Sequence, residues 1–176
     1  MDCLPPLRRG AVLLALWTGL AACASAGTTS TFQVNATVQA GCQVNNTVAP
    51  ASLGALGTLD FGTQSALSTA TVTSSLNQSA SITLACTPGV ALSMQVDSGQ
   101  NYASGRRLKR VSNTDTVAYQ LYSNAAMSAA IPVNTATGIT YSNSASIQVP
   151  IYGRVQLPGN LRPGTYQDQV IVTLQW

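Results

Sequence analysis

The chain has 176 residues and a formal charge of +3, from eight Lys+Arg against five Asp+Glu, with no histidine. Glutamate is absent as well, and Lys109 is the only lysine. Histidine and glutamate, which general acid-base work usually draws on, are therefore missing, the dispersed aspartates suggest no metal site, and so mild a basic balance gives no grounds for nucleic-acid binding.

Residues 1–26 read as an export signal. Arg8 and Arg9 give a positive start, and residues 11–22 form an apolar run too short to span a bilayer comfortably. Two cleavage patterns overlap. Ala24-Ser25-Ala26 is a small-x-small site that leaves Gly27 first, whereas Leu20-Ala21-Ala22-Cys23 resembles a lipobox that leaves a lipid-anchored Cys23. After either cut, Cys42 and Cys86 are the cysteines of the protein body, and an oxidising compartment makes a disulfide between them the expectation.

The remaining 150 or so residues suit one domain with a real core. Thr, Ser, Gln, Asn and Val dominate it, a vocabulary of strands and turns. In residues 31–38, Phe32, Val34, Ala36 and Val38 alternate with Gln33, Asn35 and Thr37, the two-residue period of a strand. Residues 42–48 and 53–61 read as short edge strands separated by Pro50. Ile82, Leu84 and Cys86 share one parity before a Thr87-Pro88-Gly89 turn, and Val90, Leu92, Met94 and Val96 share one after it, so residues 80–98 read as a hairpin. Residues 105–110, with Arg106, Arg107, Lys109 and Arg110, read as a solvated strand edge guarded by charge, with contact to an anionic surface or glycan as the alternative. Residues 117–122 alternate as a strand, residues 123–130 are a turn or a short helical piece, and residues 131–144 read as loop. Residues 146–155 form the penultimate strand, with Pro150 marking an edge or bulge.

Pro163-Gly164 then turns the chain into its clearest strand, residues 165–176, where Tyr166, Val170, Val172, Leu174 and Trp176 fall on one parity. Many short strands between Gly, Pro and Asn turns predict an all-β sandwich. An apolar edge beside the last strand calls for a partner strand. Residues 31–38 are the natural candidate, either of the same molecule or of another.

Several motifs carry a resemblance. Tyr119-Gln120-Leu121-Tyr122, Val149-Pro150-Ile151-Tyr152-Gly153-Arg154, and Arg162-Pro163-Gly164-Thr165-Tyr166-Gln167-Asp168 before an aromatic-ended terminus closely resemble the spore coat protein U domain family, which includes secreted pilins of archaic chaperone-usher systems. Leu59-Asp60-Phe61-Gly62 and the two cysteines fit it too. The resemblance implies an incomplete immunoglobulin-like β-sandwich, completed by a donor strand from another subunit or a chaperone. It divides the chain into a signal peptide (1–26), an N-terminal donor strand (27–40) and the pilin domain (41–176).

On that implication the protein is a pilus subunit that polymerises by donor-strand complementation for adhesion and biofilm formation. Its partners are a periplasmic pilus chaperone, an outer-membrane usher and other pilin subunits, with no nucleic acid and no cofactor, and it passes through the periplasm to the cell surface. Phe32, Val34, Ala36 and Val38 become the donor side chains, and Tyr166, Val170, Val172, Leu174 and Trp176 the acceptor groove, by strand addition. The competing reading is a self-standing secreted or lipid-anchored spore-coat or cell-surface protein. An enzyme is the weakest class. Asp168, beside its Pro-Gly turn, reads as a residue that fixes the turn or edge by hydrogen bonding rather than a catalytic one.

Overall fold

The computed structural model describes residues 29–45, 47, 54–80 and 82–176. The export signal, Cys23 and both cleavage patterns lie outside them. Residues 29–37 belong to one unit and residues 38–176 to another. Among residues 29–37 no strand forms, and Phe32 and Val34 are 87% and 80% exposed. The strand predicted over 31–38 is therefore not formed in these residues.

The regular elements among the described residues of the second unit are all strands: β1 (Cys42–Val44), β2 (Gly57–Leu59), β3 (Thr71–Gln78), β4 (Leu84–Cys86), β5 (Leu92–Val96), β6 (Arg107–Arg110), β7 (Thr116–Tyr122), β8 (Ala136–Ile139), β9 (Tyr152–Gln156), β10 (Tyr166–Gln167) and β11 (Val172–Gln175). All pairings are antiparallel. One sheet runs β10-β6-β7-β9-β3-β2, a second β11-β5-β8, and a third pairs β1 with β4. Their inner faces share one core, centred on Val44, Leu84, Met94, Val96, Ile147 and Val155. The result is an all-β, immunoglobulin-like sandwich. Cys42 lies opposite Cys86 across the β1–β4 pair, and the two are joined by a disulfide.

Alternation predicted faces better than partners. Ile82, Leu84, Cys86, Leu92, Met94 and Val96 are all buried, but residues 80–98 are no hairpin: β4 pairs with β1, while β5 pairs with β11 and β8. A period of two says which side of a strand is apolar, and both sheets offer an apolar side. The penultimate strand begins only at Tyr152. Pro150 has no N–H to give a ladder, yet Ile147, Val149 and Ile151 remain buried, and Ile147 N donates to Leu84 O at 2.8 Å. β8 lies within residues 131–144, expected to be loop, because its four residues are too few to show a period. Residues 123–130 form a turn in which Asn124 Oδ1 accepts from Ser128 N and Ala129 N.

The basic stretch also differs from its reading. β6 is not an edge, because β10 covers it. Arg106 is buried, and its guanidinium donates to the carbonyls of Asp97 (2.9 Å), Ile131 (2.9 Å), Val96 (3.1 Å) and Pro132 (3.4 Å). Burial pulls its pKa below the ordinary arginine value, and the neighbouring Tyr119, Asp97 and Asp168 oppose that shift.

Candidate functional site

The C-terminal stretch is two strands rather than one. β10 belongs to the six-stranded sheet, opposite Arg110 and Lys109, and β11 to the three-stranded sheet, with Val172 opposite Val96 and Leu174 opposite Met94. Residues 168–171 carry the chain across, and two aspartates hold the crossing. Asp97 Oδ1 accepts from Ile171 N and Gly99 N, both at 2.9 Å. Asp168 accepts from the Tyr119 hydroxyl at 2.8 Å and from Asn101 through its backbone N (3.2 Å) and Nδ2 (3.0 Å). Gly99, at φ +76°, leaves the space: a Cβ there would lie 2.2 Å from Asp168 Oδ2. Burial, and then the hydrogen bond to Asp168, push the Tyr119 hydroxyl pKa well above the ordinary phenol value.

This crossing ends a groove of about 820 Å³. One bank is the stretch 168–174 with Trp176, and the other is residues 54–59 with Phe61. The banks are the edges of two different sheets, since among the described residues β11 pairs only with β5 and β2 only with β3. Ile171 O accepts from Asp97 N at 3.0 Å, so odd-numbered backbone groups face β5. By the alternation of an antiparallel ladder, those of Val172 and Leu174 face the groove. Leu76, Leu121 and Ile151 line its floor. Gly153 seats the second bank: a Cβ there would come within 2.7 Å of Leu59 Cδ2 and 2.8 Å of Phe61 Cζ.

Of the residues expected to form an acceptor groove, Val170, Val172, Leu174 and Trp176 line this one. Tyr166 does not. It lies on β10, outside the groove, and its hydroxyl donates to Arg162 O at 2.9 Å. The chain changes sheets between Tyr166 and Val170, so their shared parity does not bring Tyr166 to the groove. Val170, Val172 and Leu174 are half-buried, and Trp176 is 42% exposed. The whole second bank was missed, although Leu59, Phe61 and Gly153 stand in motifs quoted above. Phe32, Val34, Ala36 and Val38 are all exposed. Among the described residues no three metal-ligating side chains come together. The arrangement offers main-chain hydrogen bonds along two edges and an apolar trough between them.

An immunoglobulin-like sandwich with one flank open between its sheets is the class that this fold and groove define. Residues 28–173 match the Spore Coat Protein U domain, and the chain belongs to that family. No curated protein matches it. Among solved structures it is similar to the CsuC–CsuE chaperone–tip adhesion subunit pre-assembly complex from the archaic chaperone-usher Csu pili of Acinetobacter baumannii, at 16% identity and a TM-score of 0.47. That likeness covers 80% of this chain and 41% of the other, so the chain spans less than half the length of its neighbour.

Proposed function

We propose that the protein is a structural subunit of a chaperone-usher pilus, exported to the cell surface, that polymerises by donor-strand complementation. The observation that carries this reading is the groove, in which two sheet edges and an apolar floor stand open to a strand. Strand addition would satisfy the backbone groups of Val172 and Leu174, and alternate side chains would fill the trough and set register. Residues 27–40 are the donor. Phe32, Val34, Ala36 and Val38 give four apolar positions at strand spacing, matching Val170, Val172, Leu174 and Trp176 in number. A periplasmic chaperone supplies the strand before assembly, and at an outer-membrane usher another subunit's donor replaces it. Adhesion and biofilm formation are the roles such a fibre serves. Membership of the Spore Coat Protein U domain family supports the reading.

The test is Val34→Asp, which places an unpaired carboxylate in an apolar trough. It should block polymerisation while chaperone binding, which uses the groove and not the donor, stays intact. If deleting residues 27–38 leaves a chaperone-free monomer that is equally stable and still forms fibres, residues 27–38 are not the donor and the donor-strand reading falls.

A further inference from the structure

The outer face of the six-stranded sheet is distinct from the groove. Its outward positions are Arg107 and Lys109 on β6, Thr116, Ala118 and Gln120 on β7, Tyr152, Arg154 and Gln156 on β9, and Thr71, Thr73 and Ser75 on β3, opposite in parity to the core residues Val117, Tyr119, Leu121 and Val155. The face carries three cations and no carboxylate. The aspartates of the described residues are all engaged elsewhere: Asp60 accepts from Gly62 N, Asp97 from Gly99 N and Ile171 N, Asp115 pairs with Arg110, and Asp168 holds Tyr119. Arg107, Lys109 and Arg154 are thus left without a counter-ion.

At the centre of this face Ala118 is too small to fill its place. A depression of about 380 Å³ opens above it, walled by Thr71, Gln120, Arg154 and Gln156. Its walls are held before any ligand arrives. Arg154 Nη2 donates to Gln120 Oε1 at 2.7 Å, and the guanidinium lies 5.0 Å from the centre of the Tyr122 ring. Thr71 donates to Gln156 Oε1, and Gln156 Nε2 donates to Thr69 O. Arg107 is the cross-strand neighbour of Ala118 and stands at the rim. A neutral amide partner fixes the Arg154 geometry without cancelling its charge, which suits it to recognise a carboxylate.

We propose that this depression is a binding site for an acidic polysaccharide, with a sugar carboxylate between Arg154 and Arg107 and sugar hydroxyls on Thr71, Gln120 and Gln156. Charge complementarity selects an anionic chain. The hydroxyl and amide lining selects sugar over nucleic acid, because Tyr122 is buried under Arg154, Tyr152 does not line the depression, and three cations are few for a phosphate backbone. The site does not depend on the pilus reading.

The test uses the full exported protein and three probes, polygalacturonate, neutral dextran and double-stranded DNA, with binding read by calorimetry at low and physiological salt. Polygalacturonate should bind, more weakly as salt rises, and dextran should not. Arg154→Gln should weaken binding about tenfold or more. Arg107→Gln, at the rim and held only by Ser104 at 3.2 Å, reads the same loss should the first variant not fold. Ala118→Leu keeps every charge but fills the floor, and it should also abolish binding. Unchanged binding by Ala118→Leu would reduce the site to diffuse charge and overturn the proposal. Equal affinity for dextran, or tighter binding of DNA than of polygalacturonate, would overturn it too.

Discussion

Asp168 shows how one side chain positions the groove. It lies one residue past β10, half-buried, and its oxygens tie Tyr119 on β7 and Asn101 on the loop after β5 to the point where the chain changes sheets. These contacts are of the kind expected of a residue that fixes a turn or edge by hydrogen bonding. Removing the Tyr119 hydroxyl leaves a carboxylate oxygen short of a partner in the groove end, so Tyr119→Phe should destabilise the fold by about 1–3 kcal/mol, read as a lowered melting temperature. The pH dependence has a definite sign. The folded-state pKa of Tyr119 is raised above its unfolded value of 10.0, so the native state holds the proton more tightly. Its contribution is complete below pH 10 and is lost as pH climbs past that value, where the unfolded chain releases the proton first. Alkaline melting curves should therefore fall more steeply for the wild type than for Tyr119→Phe.

Among the elements, β1 and β4 form the smallest sheet, and their hold on the rest is covalent as well as hydrophobic. Cys42 and Cys86 close a loop with a sequence separation of 44, for which the loss of unfolded-state entropy amounts to about 4 kcal/mol. The double variant Cys42→Ser, Cys86→Ser should lose stability of that order in denaturant titration, and reduction of the wild type should reproduce the loss. What the sequence made legible at this scale was burial. Alternation identified Leu92, Met94 and Val96, or Val172 and Leu174, as inward positions before any partner was known. It could not identify the partners, because a two-residue period is the same in either sheet and turn residues such as Pro88 and Gly89 serve crossovers as well as hairpins. Nor could it find the crossing at 168–171: the half-buried parity runs on unbroken from Tyr166 to Leu174 while the strand changes sheets. The second bank of the groove escaped because Leu56, Leu59 and Phe61 come to face the last strand across the groove only in three dimensions.

At the scale of the whole molecule, the sandwich has two sheet edges whose outer hydrogen-bonding groups face a common trough. Edges of this kind are usually covered, because they template association. β11 ends at Gln175, with Trp176 beside Gly41 at the rim: a Cβ on Gly41 would lie 4.0 Å from Trp176 Nε1. A strand attached after Trp176 through a short flexible linker would turn back antiparallel to β11, the orientation in which main-chain bonds run straight across the pair. A copy of residues 31–38 placed there offers Phe32, Val34, Ala36 and Val38 to the trough in one register, while a slip of one residue presents Gln33, Asn35 and Thr37 instead. If the groove takes the donor, this fusion should melt well above the wild-type chain, remain monomeric and no longer bind a chaperone, because its groove is filled from within. A control fusion with Val34→Asp in the appended copy should lose the gain, since the carboxylate would have to leave water for an apolar floor. Equal melting temperatures for the two fusions would mean that the appended strand never enters the groove, and the donor assignment would fall with it.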